Sequence, residues 1–276
     1  MNLIDRILGK RPKLGLALSG GATHGAAHIG VLQVLEREGI KPDYVAGTSA
    51  GALVGAAYCA GIPMDELEKL FLSIAWPTFV KFSLIKPLAL FDTQPMEEFI
   101  RKNIGDCEFK DLNLPFAAIC CDIVTGERVV MDKGPVAPCV RASAAIPGLF
   151  SPVEIDGRLL VDGGVVDNLP VEHLSVMGAD FTIGVDVSSP SKRGKRPENP
   201  FENLLAMVYI VQERSTSLNR DYCDCFIKPK ISQYSSWGFG DSDKMIEEGR
   251  KAAEAALPQL TKFMSKKKEN NFNHRF

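Results

Sequence analysis

No stretch of this sequence approaches the roughly 18 consecutive apolar residues that a membrane-spanning helix needs, so the chain offers no such helix. Cysteine occurs seven times, an odd count, and never as C-x-x-C. That pattern suggests neither a disulfide framework nor a zinc cage, and a reducing, cytoplasmic compartment fits it best. Cys223-x-Cys225 lies in a strand-like run and reads as packing. Charge of either sign is barely in excess, at a net −2, which gives no reason to expect nucleic acid as a partner. Histidine is scarce: His24, His28, His173 and His274 are the four. His24 and His28 stand four apart on one helix, a spacing that suits a metal, but no Glu completes an H-E-x-x-H and no third ligand is evident. Neither a metal nor a cofactor is expected. Residues 1–11 lack a signal-peptide pattern, because charge interrupts the apolar core and no small-residue cleavage site follows. Leu3, Ile4, Ile7 and Leu8 fall at helical spacing ahead of Lys10, Arg11 and Lys13. They read either as a weak interfacial helix touching a membrane or as a helix docked on the protein's own body.

What remains is ordinary globular composition, 45% hydrophobic and 24% charged over 276 residues, enough for one sizeable α/β domain. The expected layout is an N-terminal segment (1–13), one domain (14–264) and a disordered tail (265–276) carrying Lys266-Lys267-Lys268. Residues 14–19 form a buried strand that runs into Gly20-Gly21-Ala22-Thr23-His24-Gly25 and an amphipathic helix ending at Gly39. A short strand, 44–46, and a small-residue helix from Ala52 follow. Strand, glycine turn, helix, strand and helix in succession imply a parallel sheet. Farther on, 65–75 and the segment capped by Asp92-Thr93 through Ile100 read as helices. The large apolar stretch 79–91 reads equally as core packing or as a greasy lid over an apolar cleft. A central strand covers 115–122, with an antiparallel extension at 128–131. Residues 153–161 form a hairpin that turns at Asp156-Gly157 and delivers Asp162 at its end. A helix (170–177), a strand (181–187), an exposed loop (188–200), a helix (201–220), a strand (223–228) and a helix (242–257) complete the domain.

Gly47-Thr48-Ser49-Ala50-Gly51 is a G-x-S-x-G written between a strand and a helix. In that setting it reads as a nucleophile elbow: a sharp turn pushes the serine hydroxyl outward, and the following helix aims its free N–H groups at the reacting centre. Serine needs a base. None of the histidines is well placed for that role, since His173 lies early in a helix after Pro170 and His274 lies in the tail. A carboxylate is left, and Asp162 recommends itself by standing at a strand end before Gly163-Gly164. An Asx-type turn is the plainer reading of the same Asp-Gly.

Glycine-rich turn, G-x-S-x-G and Asp-Gly-Gly, in that order, resemble the patatin-like phospholipase family. The runs Leu16 to Gly39 and Arg141-Ala142-Ser143-Ala144-Ala145-Ile146-Pro147-Gly148-Leu149-Phe150 look like its bacterial branch related to neuropathy target esterase. The resemblance covers roughly residues 12–187. It implies a three-layer α/β/α fold with a mostly parallel central sheet. It also implies a serine lipid acyl hydrolase with a Ser49–Asp162 dyad, a covalent acyl-enzyme, and an oxyanion hole built from the N–H groups of Gly20, Gly21 and Ala22. His24, Gly25, Gly47, Gly51, Gly163 and Gly164 would support the site. The expected partner is a lipid ester, with peripheral membrane contact in reach and oligomeric state undetermined. Two positions depart from the family's Gly-Gly-Gly-x-Arg/Lys-Gly: Ala22 replaces the third glycine, and His24 replaces the cation. Alanine suits that turn if its φ stays negative, and a histidine there makes electrostatic help depend on pH. An acyltransferase on the same dyad and a non-catalytic regulatory patatin-fold protein are the alternatives.

Overall fold

The first apolar run, β1 (Leu14–Leu18), is buried at every position, as a strand covered on both faces must be. The computed structural model describes residues 12–82, 88–188 and 196–272. The expectations for residues 1–11, for the middle of the 79–91 stretch, for most of the 188–200 loop and for His274 fall outside them. From β1 the chain passes Gly20-Gly21 and a tight 3-10 turn, Ala22–Gly25, into α1 (Ala26–Arg37). It returns as β2 (Tyr44–Thr48) and breaks at Ser49 into α2 (Ala50–Cys59). Next come α3 (Met64–Leu72) and a single helical turn, α4 (Trp76–Phe79). The short strands β3 (Lys81–Phe82) and β4 (Ala89–Asp92) precede α5 (Gln94–Ile104). Of the expected Asp92-Thr93 cap, Thr93 takes the N-cap position without a side-chain capping bond, and Asp92 Oδ1 accepts the Gln94 N–H at 3.1 Å.

Then follow β5 (Phe116–Asp122), β6 (Arg128–Met131), α6 (Val136–Ser143), β7 (Gly148–Phe150), β8 (Val153–Ile155) and β9 (Arg158–Asp162). The turn between β8 and β9 places Asp156 at φ 51 and Gly157 at φ 74, the double positive φ that Asp-Gly favours in a two-residue hairpin. The chain ends with α7 (Val171–Met177), β10 (Phe181–Val185), α8 (Pro200–Asn219), β11 (Cys225–Ile227) and α9 (Ser242–Phe272). Strands β11, β10, β1, β2 and β5 run parallel in that order, β9 and β6 pair antiparallel with β5, and β8 pairs antiparallel with β9. The sheet is therefore mostly parallel, as expected.

Alternate residues of β1 face opposite layers. Leu14, Leu16 and Leu18 join a core with α1 and α9 (Ile29, Leu32, Met245, Ile246). Ala17, beside Ala46 and Ala117, faces Leu169, Val171 and Leu174 at α7. Helices on both faces complete the expected three layers. Two expectations are corrected. The last helix does not stop at 257, and residues 265–272, expected as tail, continue it. Pro258 removes one helical N–H, but it sits on the exposed side, while Leu260 beyond it is buried and anchors the continuation. The 79–91 stretch divides: Phe79 is buried, whereas Phe82 and Leu90 are exposed on a second, three-stranded sheet, β3-β4-β7, and Leu88 is exposed in the turn just before β4. No helix among the described residues is long and apolar enough to cross a membrane.

Candidate active site at the strand ends

Ligand sites in parallel α/β sheets gather beyond the carboxyl ends of the strands, and here three turns meet there. Ser49 ends β2 at φ 55 and ψ −119. Glycine adopts that region readily, whereas a side chain is strained in it at a cost of roughly 1–3 kcal/mol. The surroundings hold it in place. Its backbone N–H donates to Ser143 Oγ (3.0 Å), and Ser143 donates in turn to the Ile119 carbonyl (2.6 Å). Thr48 Oγ1 donates to the Asp167 carbonyl at 2.8 Å. The elbow glycines are needed for contact distance: a Cβ on Gly51 would lie 2.1 Å from the Leu18 carbonyl oxygen, and one on Gly47 would lie 2.5 Å from the Gly51 oxygen.

Asp162 reaches the same row through strand register. Thr48 lies opposite Ile119 on β5, and Asp162 lies opposite the next residue, Cys120. The carboxyl is fully buried. Its Oδ1 accepts the Gly164 N–H at 2.7 Å, while Oδ2 has no hydrogen bond of regular geometry. Burial pushes the carboxyl up to about 6, opposed in part by hydrogen bonding from the Ser49 hydroxyl and the Gly164 N–H. The two glycines after it are explained by crowding. A Cβ on Gly163 would stand 2.3 Å from the Ile119 oxygen. One on Gly164 would stand among Gln212 Nε2 (2.6 Å), Asn168 Oδ1 (2.8 Å) and Asp162 Oδ1 (3.0 Å).

The glycine turn differs in detail from the expected oxyanion hole. Gly20 borders Ser49, and its added Cβ would lie 3.1 Å from Ser49 Cβ, but its N–H is already donated to the Asn168 carbonyl at 3.2 Å. That leaves Gly21 and Ala22 from the expected trio, with Ala50 at the first position of α2 as a further donor, since a helix's first N–H groups lack intrahelical partners. Ala22 has φ 51, so the condition under which alanine suits the turn, a negative φ, is not met; this left-handed conformation is the one for which a third glycine would be relaxed. His24 is also corrected. It is fully buried, its Nε2–H donates to the Tyr234 carbonyl at 3.1 Å, and desolvation lowers its pKa. A neutral strut stands where a pH-dependent cation was expected. Gly25 packs against α2, where a Cβ would lie 2.8 Å from Ala50 Cβ.

His28 bonds a different carbonyl, that of Ser19 at 2.9 Å, and burial lowers it to about 4. His173 is grouped with Arg128, Asp132, Asp167 and Glu172. Sequence reasoning missed the supports contributed by distant segments. Residues 234–236 buttress the turn, through Tyr234 O to His24, Ser235 O to Thr23 Oγ1 (3.0 Å) and Ser236 O to the Thr23 N–H (3.2 Å). Asn168 ties the turn to α8, its N–H donating to Ser215 Oγ and its Nδ2 to Thr216 Oγ1, both at 2.9 Å. Its place six residues after Asp162, in a polar Asp-Asn pair ahead of Leu-Pro, was the available signal.

Ser49 and Ala22 also lie in the wall of a predominantly apolar cavity. Leu53, Leu67, Phe71, Phe79, Met96 and Phe99 are among its lining side chains. Trp76 stacks on Trp237 (centroids 5.1 Å apart) and meets Phe239 edge-on (5.4 Å) at one wall. Phe79 thus answers the cleft reading of 79–91.

Fold and site together define an α/β protein with a strained serine at a strand-to-helix elbow, beside a buried carboxylate and an apolar cavity. The model of the patatin-like phospholipase family matches residues 16–175, and the chain belongs to that family. An uncharacterized NTE family protein of Mycobacterium tuberculosis is 34% identical over 208 residues, 75% of this chain and 57% of that one. Neuropathy target esterase sws of Drosophila melanogaster is 29% identical, with 86% of this chain and 19% of that protein covered. Lysophospholipase nte1 of Emericella nidulans is 30% identical, with 94% and 19% covered. The chain thus spans from about a fifth to just over half the length of these relatives. Among solved structures, VipD from Legionella pneumophila superposes with a TM-score of 0.60 at 15% identity, covering 90% of this chain and 67% of that one. The type III effector protein ExoU gives 0.51 at 13%, with 90% and 53% covered. At such identity these two speak for the fold alone.

Proposed function

We propose that the chain is a serine lipid acyl hydrolase that works through a Ser49–Asp162 dyad. The observation that carries this reading is the pairing of a serine at φ 55 with a fully buried carboxyl whose Oδ2 has no regular partner. Strain and an uncompensated buried carboxyl both cost stability, and they cluster where chemistry requires them.

The steps follow from the groups present. Ser49 Oγ attacks the ester carbonyl carbon as Asp162 Oδ2 takes the hydroxyl proton. The carbonyl oxygen becomes an oxyanion facing the N–H groups of Gly21, Ala22 and Ala50. Collapse expels the alcohol, which takes the proton from Asp162, and the acyl group stays on Ser49. Water then repeats the sequence and releases the fatty acid. A carboxyl raised to about 6 is a stronger base than an ordinary aspartate and is still ionised at neutral pH, the balance general-base catalysis favours. The apolar lining of the cavity at Ser49, with Leu53, Leu67, Phe71, Phe79 and Phe99 among its side chains, suits an acyl chain. The names of the lysophospholipase and esterase relatives agree with a phospholipid or lysophospholipid ester as substrate.

The test is labelling with a fluorophosphonate and assay of short- and long-chain esters beside Ser49→Ala. Wild type labels and turns over, and Ser49→Ala does neither. A wild-type protein that neither labels nor hydrolyses any ester overturns the reading.

A further inference from the structure

Ser49 borders a second cavity besides the apolar one. It is small, with room for about one water, and is lined by Ala22, Ser49 and Ile146 together with Leu205, Tyr209 and Gln212 of α8. Its polar side chains differ in commitment. Tyr209 shares its hydroxyl with Ser236 Oγ at 2.6 Å. Gln212 is 4% exposed and lines the cavity, where its amide atoms keep access to the free space and pair with no described residue. Buried amides are nearly always paired, so one left open toward a cavity points to a ligand. Its Nε2 also stands at Gly164, the residue whose N–H holds the catalytic carboxyl; the Cβ position described above puts Gln212 Nε2 and Asp162 Oδ1 2.6 and 3.0 Å from a single point. Gln212 lies outside residues 16–175, the part matched by the family model.

We propose that Gln212 holds the acyl acceptor, the water that frees the acyl group from Ser49. This rests on the hydrolase reading above. The large cavity keeps the acyl chain, and the small one, of about a water's size, admits water beside Ser49. The amide oxygen accepts one water hydrogen, and Asp162 Oδ2 accepts the other as the water oxygen bonds to the acyl carbon. The tetrahedral adduct then breaks its bond to Ser49 Oγ, which recovers the proton from Asp162, and the fatty acid leaves. Water in, acid out and serine restored balance without any further reactant.

The product ratio from a common acyl-enzyme tests this whichever step limits turnover. The wild type, Gln212→Met and Gln212→Asn, each checked for a cooperative melt, are given a p-nitrophenyl acyl ester in water–methanol, and methyl ester is measured against free acid. Methionine keeps the length of the side chain but cannot orient water, and its wall favours the methyl of methanol. Losing one such hydrogen bond corresponds to about a tenfold rise in the ester-to-acid ratio. Asparagine, which keeps the amide but draws it back by one methylene, shifts the ratio the same way by less. Gln212→Met still labels with a fluorophosphonate, since the acylation machinery is intact. A folded variant with lowered turnover but the wild-type product ratio overturns the role of Gln212 and leaves the dyad standing. Absence of Ser49 labelling in the wild type overturns the hydrolase reading itself.

Discussion

Replacing Asp162 with asparagine makes the protein more stable as it destroys catalysis, and the gain has a definite pH dependence. Burial raises the carboxyl from 3.8 to about 6. Between those values the native state binds a proton that the unfolded state does not, so stability falls as pH rises through the window. At about 1.36 kcal/mol per pH unit, the full loss is about 3 kcal/mol, all of it felt above pH 6. Asparagine stays neutral throughout, and its Oδ1 can keep the Gly164 N–H. The expected result is that the difference in unfolding free energy, Asp162→Asn minus wild type, grows by about 2 kcal/mol between pH 4.5 and 8. Urea melts of both proteins at several pH values measure it, and taking the difference cancels every other titrating group. A difference that is flat with pH, or that shrinks as pH rises, would refute the claim that Asp162 is a desolvated base.

Three further outcomes follow from the site. Ser49→Ala abolishes ester turnover and fluorophosphonate labelling without loss of fold, as a steady-state assay and a thermal melt will show. His24→Leu leaves the Tyr234 carbonyl unpaired and lowers stability by about 1–3 kcal/mol in urea. It does not change the pH–rate profile around neutral pH, because desolvation lowers the pKa of the buried imidazole and favours its neutral form there. Ala22→Gly relieves a left-handed residue, a gain of roughly 1–2 kcal/mol set against about 0.5–1 kcal/mol of added chain entropy. Its urea midpoint therefore stays level or rises while activity is kept; a clear loss of stability would mean that the turn prefers alanine.

The parts of the site that are legible in the sequence are those that local stereochemistry dictates. Ser49 between two glycines, Asp162 before two more, and Asp156-Gly157 at a hairpin each announce a backbone that only certain residues permit, and each forms as expected. The parallel sheet followed from buried runs alternating with helices. What sequence reading missed depends on contacts between residues far apart in the chain. Gly20 offers an N–H as readily as Gly21 does; only the arrival of Asn168 removes it from the hole. His24 resembles a pH-dependent substitute for a cation until residues 234–236 close over it. Gln212 sits in an unremarkable polar stretch of a long helix, and its burial beside Gly164 becomes visible only when α8 is folded onto the turn. The last helix runs on past Pro258, because packing of the distant-contacting Leu260 outweighs one missing hydrogen bond.

The most direct test of the dyad is the rate of fluorophosphonate attachment at Ser49, followed by mass spectrometry of the labelled peptide across pH 4.5–8.5. The account predicts a wild-type rate that rises with pH and levels off above about 6, where Asp162 is ionised. It predicts a slow rate without that inflection in Asp162→Asn. Attachment at another residue, or the same inflection in both proteins, would contradict it.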